Sequence, residues 1–179
     1  TRKTITLMYD IHHFFTPILN QFSEFDAHSW YLYPIATLAA AKELRDNSEL
    51  PKNIENLNAS FDRLQKISSD FLTINLHGRK YGRKFILALQ ERLDNLSILD
   101  YNNQMRHEIL CEIKLTTADF ITHRQFAKKQ MIKNAQEFYK NEFTQVPSTL
   151  IYTDTECLHI ENCSQALIQN YLRHIEKTA

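Results

Sequence analysis

Only two glycines, Gly78 and Gly82, occur in 179 residues, and both lie in His77-Gly78-Arg79-Lys80-Tyr81-Gly82-Arg83-Lys84. Prolines number four. Glycine supplies the positive-φ positions of tight turns and proline the fixed-φ ones, so a chain this poor in both has little material for hairpins. The scarcity predicts an all-α protein whose sharpest reversal is the glycine-bearing octapeptide. Glycine-rich nucleotide loops and the G-x-S-x-G nucleophile turn are absent for the same reason.

Apolar spacing supports helices. Ile54, Leu57, Phe61, Leu64, Ile67 and Phe71 recur at intervals of three and four, which predicts a helix over 51–76 with Gly78 just past its end. Phe85, Leu89, Leu93, Leu96 and Leu99 predict a second helix over 81–99, antiparallel to the first. A long helix over 117–144 opens on Thr116-x-x-Asp119, a capping-box spacing. Shorter helices are expected at 35–46, 104–115 and 164–177, the last capped by Ser164. Residues 4–15 also show helix-like spacing through Ile5, Met8, Tyr9, Ile11, His12 and Phe15. Trp30-Tyr31-Leu32-Tyr33 reads as a short segment capped by Asp26 and interrupted by Pro34, and only Leu150-Ile151-Tyr152 reads as a strand. The expected architecture is a single helical domain over 1–179. It is a bundle of six to eight helices built around the 51–76 and 81–99 hairpin and the 117–144 helix, with at most one short strand. The chain opens Thr-Arg-Lys without methionine, which suggests excision from a larger protein.

Formal charge is balanced at 21 basic and 21 acidic residues, so bulk electrostatics do not favour nucleic acid. The cations are nevertheless segregated. Arg79, Lys80, Arg83 and Lys84 crowd the glycine loop, and Arg124, Lys128, Lys129 and Lys133 crowd the long helix, with no acidic residue inside either run. A helix N-terminus flanked by arginines can hold an anion, so these eight residues form the candidate anion-binding set. On a helical wheel Arg124 and Lys128 fall inside the apolar arc of Phe120, Ala127, Met131 and Phe138. They are expected to be half-buried along their stems, with heads that meet a carboxylate or open into a cleft. Trp30, Tyr31 and Tyr33 form a candidate partner surface, since aromatic clusters serve as contact anchors.

Cys111, Cys157 and Cys163 are odd in number and sparse, which suits a reducing, cytoplasmic setting rather than a disulfide scaffold. Cys157-x-His159-x-x-x-Cys163 lacks the second ligand pair of a zinc site, so no metal or cofactor is expected. No apolar run reaches the roughly 20 residues of a membrane span.

His12-His13-Phe14-Phe15-Thr16-Pro17-Ile18 resembles the phosphoacceptor box of sensor histidine kinases, where Thr-Pro follows the histidine at the same spacing. Glu55 to Asn75 is similar to the second helix of their dimerisation hairpin. The resemblance implies a histidine phosphotransfer bundle with His12 as acceptor. His13 and Phe15 depart from the acidic and basic residues of that box, so His12 is expected to be structural. The favoured expectation is a non-catalytic helical module. It would dock through the basic loop and helix onto an acidic protein surface or a phosphorylated group such as a phosphoinositide headgroup. A headgroup partner would make it peripheral to the membrane, and a homodimer is compatible with either reading.

Overall fold

The computed structural model describes residues 8–27 and 29–178, and it is a mixed α/β protein, not an all-α bundle. Strands β1 (Asp10–Phe15), β2 (Trp30–Pro34), β3 (Ser148–Tyr152) and β4 (Cys157–Glu161) form one sheet in the order β2-β1-β3-β4. β1 and β2 are parallel, and β3 runs antiparallel to both of its neighbours. Between β2 and β3 the chain makes α1 (Leu38–Asn47), α2 (Ile54–Asn75), α3 (Arg79–Arg92), α4 (Asn103–Glu112) and α5 (Thr117–Lys140). Helix α6 (Gln165–Thr178) follows β4.

The segment expected to be helical at 4–15 is β1 from Asp10 onward; its first residues lie outside those described. The Trp30 segment is β2, and the stretch after Thr153 is a turn and then β4. The reason is burial. β1 is an inner strand, paired on both edges and covered on both faces, so Ile11 to Phe15 is buried or half-buried throughout and shows no apolar–polar alternation. Aromatic and β-branched side chains then favour the pleat once partners exist to pack against.

Glycine scarcity misled because other residues take its conformation. Ile18, Glu49, Asn95, Lys114, Glu142 and Asn162 all have positive φ, each at a cost on the order of 1 kcal/mol. Turns are closed by side chains instead. Thr153 Oγ1 accepts from the backbone N–H groups of Thr155 and Glu156 between β3 and β4. The parallel crossover from β1 to β2 contains no helix among its described residues. It is pinned by Gln90, whose Oε1 accepts from Phe22 N–H at 2.9 Å while its Nε2 donates to Phe22 C=O.

The periodic stretches do form helices, capped by Asn53, Asn102 and Thr116 side chains. Gly78 lies past the end of α2, as expected, and is also the N-cap of α3 at φ 145°; α3 stops at Arg92. The main core joins Ile11, Phe15 and Trp30 from the sheet to Leu64, Ile67 and Phe71 of α2, Phe85 and Leu89 of α3, and Ile168 of α6. Phe15 meets Phe71 edge-on at 5.6 Å. On the opposite sheet face Phe14 and Leu150 pack with Phe138 of α5 and Phe143. The helices bury charge as well, most deeply at Asp70 of α2. Asp70 accepts from the Tyr101 hydroxyl at 2.8 Å and faces Lys66 at 3.2 Å and Arg106 at 3.4 Å.

Two predictions follow from this packing. α3 approaches α2 so closely that a Cβ at Gly82 would lie 2.9 Å from Asn75 Cγ and 3.1 Å from its Cβ. Gly82→Ala, which in an open helix would stabilise by about 1 kcal/mol, is expected here to destabilise by roughly 1–3 kcal/mol, read as a lower urea midpoint. The second concerns His13, which is buried with Nδ1 2.8 Å from Thr149 Oγ1. Burial pushes its pKa down to about 3, against about 6.5 in the unfolded chain. Between these values only the unfolded chain takes up the proton. The folded state therefore keeps its full stability above about pH 6.5 and loses up to about 1.4 kcal/mol per unit as pH falls through the window. His13→Asn, which keeps a hydrogen-bonding group but cannot ionise, is expected to flatten this dependence in urea titrations above about pH 5.

Candidate functional site

Strand pairing brings together side chains that are far apart in sequence. His12 of β1 lies opposite Tyr31 of β2, Phe14 lies opposite Tyr33, and Asp10 lies opposite Tyr152 of β3. Tyr152 in turn faces Cys157 of β4. Because side chains alternate along a strand, His12, Tyr31, Tyr33, Tyr152 and Cys157 all project from one sheet face.

His12 is the hub. Its ring stacks on Tyr31 at 4.8 Å and Tyr33 at 5.4 Å, and meets Tyr152 edge-on at 5.0 Å. Its Nδ1 is 2.8 Å from the Tyr33 hydroxyl. Burial lowers the imidazole pKa, with Asp10 and Glu137 opposing more weakly, so the ring is neutral at pH 7. Burial raises the Tyr33 phenol to about 12, which keeps it protonated. With the His12 proton on Nε2, Tyr33 O–H donates to Nδ1 and orients the ring. The Tyr152 phenol is raised as well, first by burial and then by the charge and hydrogen bond of the Cys157 thiol beside it. The row ends at an exposed thiol on one side. At the other, Arg79 lies over the Tyr31 ring at 4.3 Å. A cavity of about 300 Å³ opens there, lined by Tyr31, Tyr33, Arg79, Asn75 and Gln130.

This arrangement can move protons and present a thiol. His12 is a neutral acceptor, the two phenols are donors, and Cys157 is accessible. A vicinal dithiol is missing, since none of the three cysteines forms C-x-x-C and all are free. Cys163 stands beyond the far end of β4 from Cys157, a strand that spans about 13 Å at 3.3 Å per residue. That exceeds the reach of a disulfide. Cys111, on α4, has its Sγ 3.6 Å from His107 Nε2.

The residues singled out from sequence divide among several places. Arg79, Lys80 and Arg83 line a cavity of about 490 Å³ with Asp26 and His77. Arg83 already pairs with Glu24 at 2.7 Å and donates to Phe25 C=O. Arg124 and Lys128 are exposed rather than half-buried, and they line a separate cleft against α2. Lys84, Lys129 and Lys133 are exposed outside both. Of the aromatic trio, Tyr31 and Tyr33 join the His12 cluster. Trp30 is buried, its Nε1 donating to Gln169 Oε1 at 3.0 Å, and so offers no surface to a partner. His12 sits on an inner strand, not on an exposed helix face of a dimerisation hairpin, which removes the phosphoacceptor reading. Sequence reasoning missed Tyr152 and Cys157 as members of one site. Their signal was the short polar stretch between them, readable as a hairpin turn only once both flanks are strands. Among the described residues no group of three His, Cys, Asp or Glu side chains could hold a metal ion. No described helix is long and apolar enough to cross a membrane.

Comparison with protein-family models and with curated protein sequences returned no match. Solved structures do match. The cytosolic disulfide reductase DsbM from Pseudomonas aeruginosa is 11% identical, with a TM-score of 0.61 over 95% of this chain and 100% of its own. A Nitrosomonas europaea protein assigned as a disulfide isomerase is 10% identical, with a TM-score of 0.58 over 95% of this chain and 98% of its own. At such identity the likeness shows the fold alone: this chain shares the mixed α/β, thioredoxin-like fold of these two proteins. It overturns the all-α reading. The non-catalytic docking module and its phosphoinositide partner, both inferred from that bundle, fall with it, as does the phosphotransfer alternative.

Proposed function

We propose that the chain carries out thiol–disulfide exchange with a single cysteine, Cys157. The observation that carries the proposal is that this exposed thiol stands on the same sheet face as the His12, Tyr33 and Tyr152 cluster, on a fold shared with a disulfide reductase. Without a C-x-x-C partner, the reaction must use an external small thiol to complete the cycle. The Cys157 thiolate attacks one sulfur of a substrate disulfide, forming a mixed disulfide as the substrate S–S bond breaks. The departing thiolate takes up a proton. A small thiol then attacks the mixed disulfide, regenerates Cys157 and leaves as a new disulfide. The Tyr152 hydroxyl stands beside Cys157 and can donate a hydrogen bond to its sulfur as the attack proceeds. A reducing compartment suits this chemistry, since it supplies the small thiol and keeps all three cysteines free.

Incubation with oxidised glutathione, followed by intact-mass and peptide analysis, tests the assignment. A single adduct on Cys157 is expected. Cys157→Ser should abolish exchange with a glutathione mixed disulfide, while Cys111→Ser and Cys163→Ser should retain it. Tyr152→Phe should slow the attack about fivefold, the equivalent of one hydrogen bond of about 1 kcal/mol. Loss of exchange in Cys111→Ser with retention in Cys157→Ser would move the reacting thiol to the Cys111–His107 pair and overturn the assignment.

A further inference from the structure

The cleft between α2 and α5 is independent of the Cys157 face. It measures about 460 Å³ and is lined by Asp62, Lys66, Asp70, Arg124 and Lys128, with Met131 on its apolar side. Its acidic side is largely engaged already. Asp70, 2% exposed, accepts from the Tyr101 hydroxyl and faces both Lys66 and Arg106. Arg106 is itself held over the Phe120 ring at 4.6 Å. With Arg106 counted behind Asp70, four cations face two carboxylates, a surplus of two positive charges.

Arg124 and Lys128 supply that surplus. Four apart on α5, they occupy the same helix face, one turn above the other. Among the described residues neither has an ion pair or side-chain hydrogen bond. The charges in the cleft act on one another. The Lys66 ammonium is pulled down first by burial, with Arg106 and Arg124 repelling it and Asp70 opposing them. An anion seated among these cations would reverse that repulsion and find arginine and lysine donors on one side and Ser69 and Gln65 on the other.

We infer that this cleft binds a small dianion, held by Arg124 and Lys128 from α5 and by Lys66 from α2. The surplus of two charges sets the ligand's charge, and a cleft of about 460 Å³ suits a small molecule rather than a polymer or a membrane surface. A phosphate group and a short dicarboxylate share this chemistry.

Isothermal titration and thermal unfolding at constant ionic strength test it, with inorganic phosphate and succinate as probes and chloride as control. Saturable binding of either probe with a rise in Tm is expected. A response to phosphate alone would identify a tetrahedral anion and to succinate alone a dicarboxylate, and either supports the site. Arg124→Ala and Lys128→Ala should each weaken binding about tenfold, while unliganded Tm stays nearly unchanged because both side chains are exposed. Lys80→Ala, in the other basic cavity, should bind as the parent does. A response equal to that of chloride, or binding that survives the Arg124→Ala/Lys128→Ala double variant, would overturn the proposal.

Discussion

The position of β1 inside the sheet is the constraint from which the rest of the molecule follows. Its backbone must pair on both edges, with β2 on one and β3 on the other. Its side chains must be covered on both faces, since Ile11, His13 and Phe15 point one way and His12 and Phe14 the other. Two hydrophobic clusters are therefore required, and the helices are distributed to supply them. α2, α3 and α6 serve the face of Phe15, and the end of α5 serves the face of Phe14. The adjacent histidines show the consequence of alternation. His13 enters the dry core, where burial keeps it neutral and Thr149 satisfies its Nδ1, whereas His12 emerges on the half-covered face among phenols.

That half-covered face is where the fold leaves chemistry accessible. α5 covers Phe14 but leaves Tyr152 and Cys157 exposed, so the cluster grades from a packed hub at His12 to an open thiol at the sheet edge. Tyr31 and Tyr33 of β2 stack on His12 and Tyr152 meets it edge-on, and Tyr33 fixes its remaining freedom through one hydrogen bond. The helical region carries a separate electrostatic problem. Burying Asp70 requires several donors, and the fold provides more positive charge around it than one carboxylate neutralises. The charge segregation visible in the sequence thus resolves into two unlike environments. The loop cations are partly tied down, Arg83 to Glu24 and Arg79 over Tyr31, whereas Arg124 and Lys128 remain at the mouth of a cleft.

By itself the sequence determined the helices with long periodic faces and the caps at Thr116 and Ser164. Its placing of Arg124 and Lys128 inside the apolar arc of α5 did not hold, since both are exposed. Helices and caps are local properties, set by a 3.6-residue repeat and by side chains reaching their own backbone, so they can be read from neighbours in the chain. The sheet could not be read that way. A strand covered on both faces loses its period-two pattern, and turns closed by threonine side chains or by non-glycine residues at positive φ leave no glycine signal. Only the tertiary structure decided that Tyr31, His12, Tyr152 and Cys157 form one row. Each comes from a different strand, and their neighbourhood depends on pairing register, which for β1 and β3 joins segments more than a hundred residues apart and which no local pattern encodes.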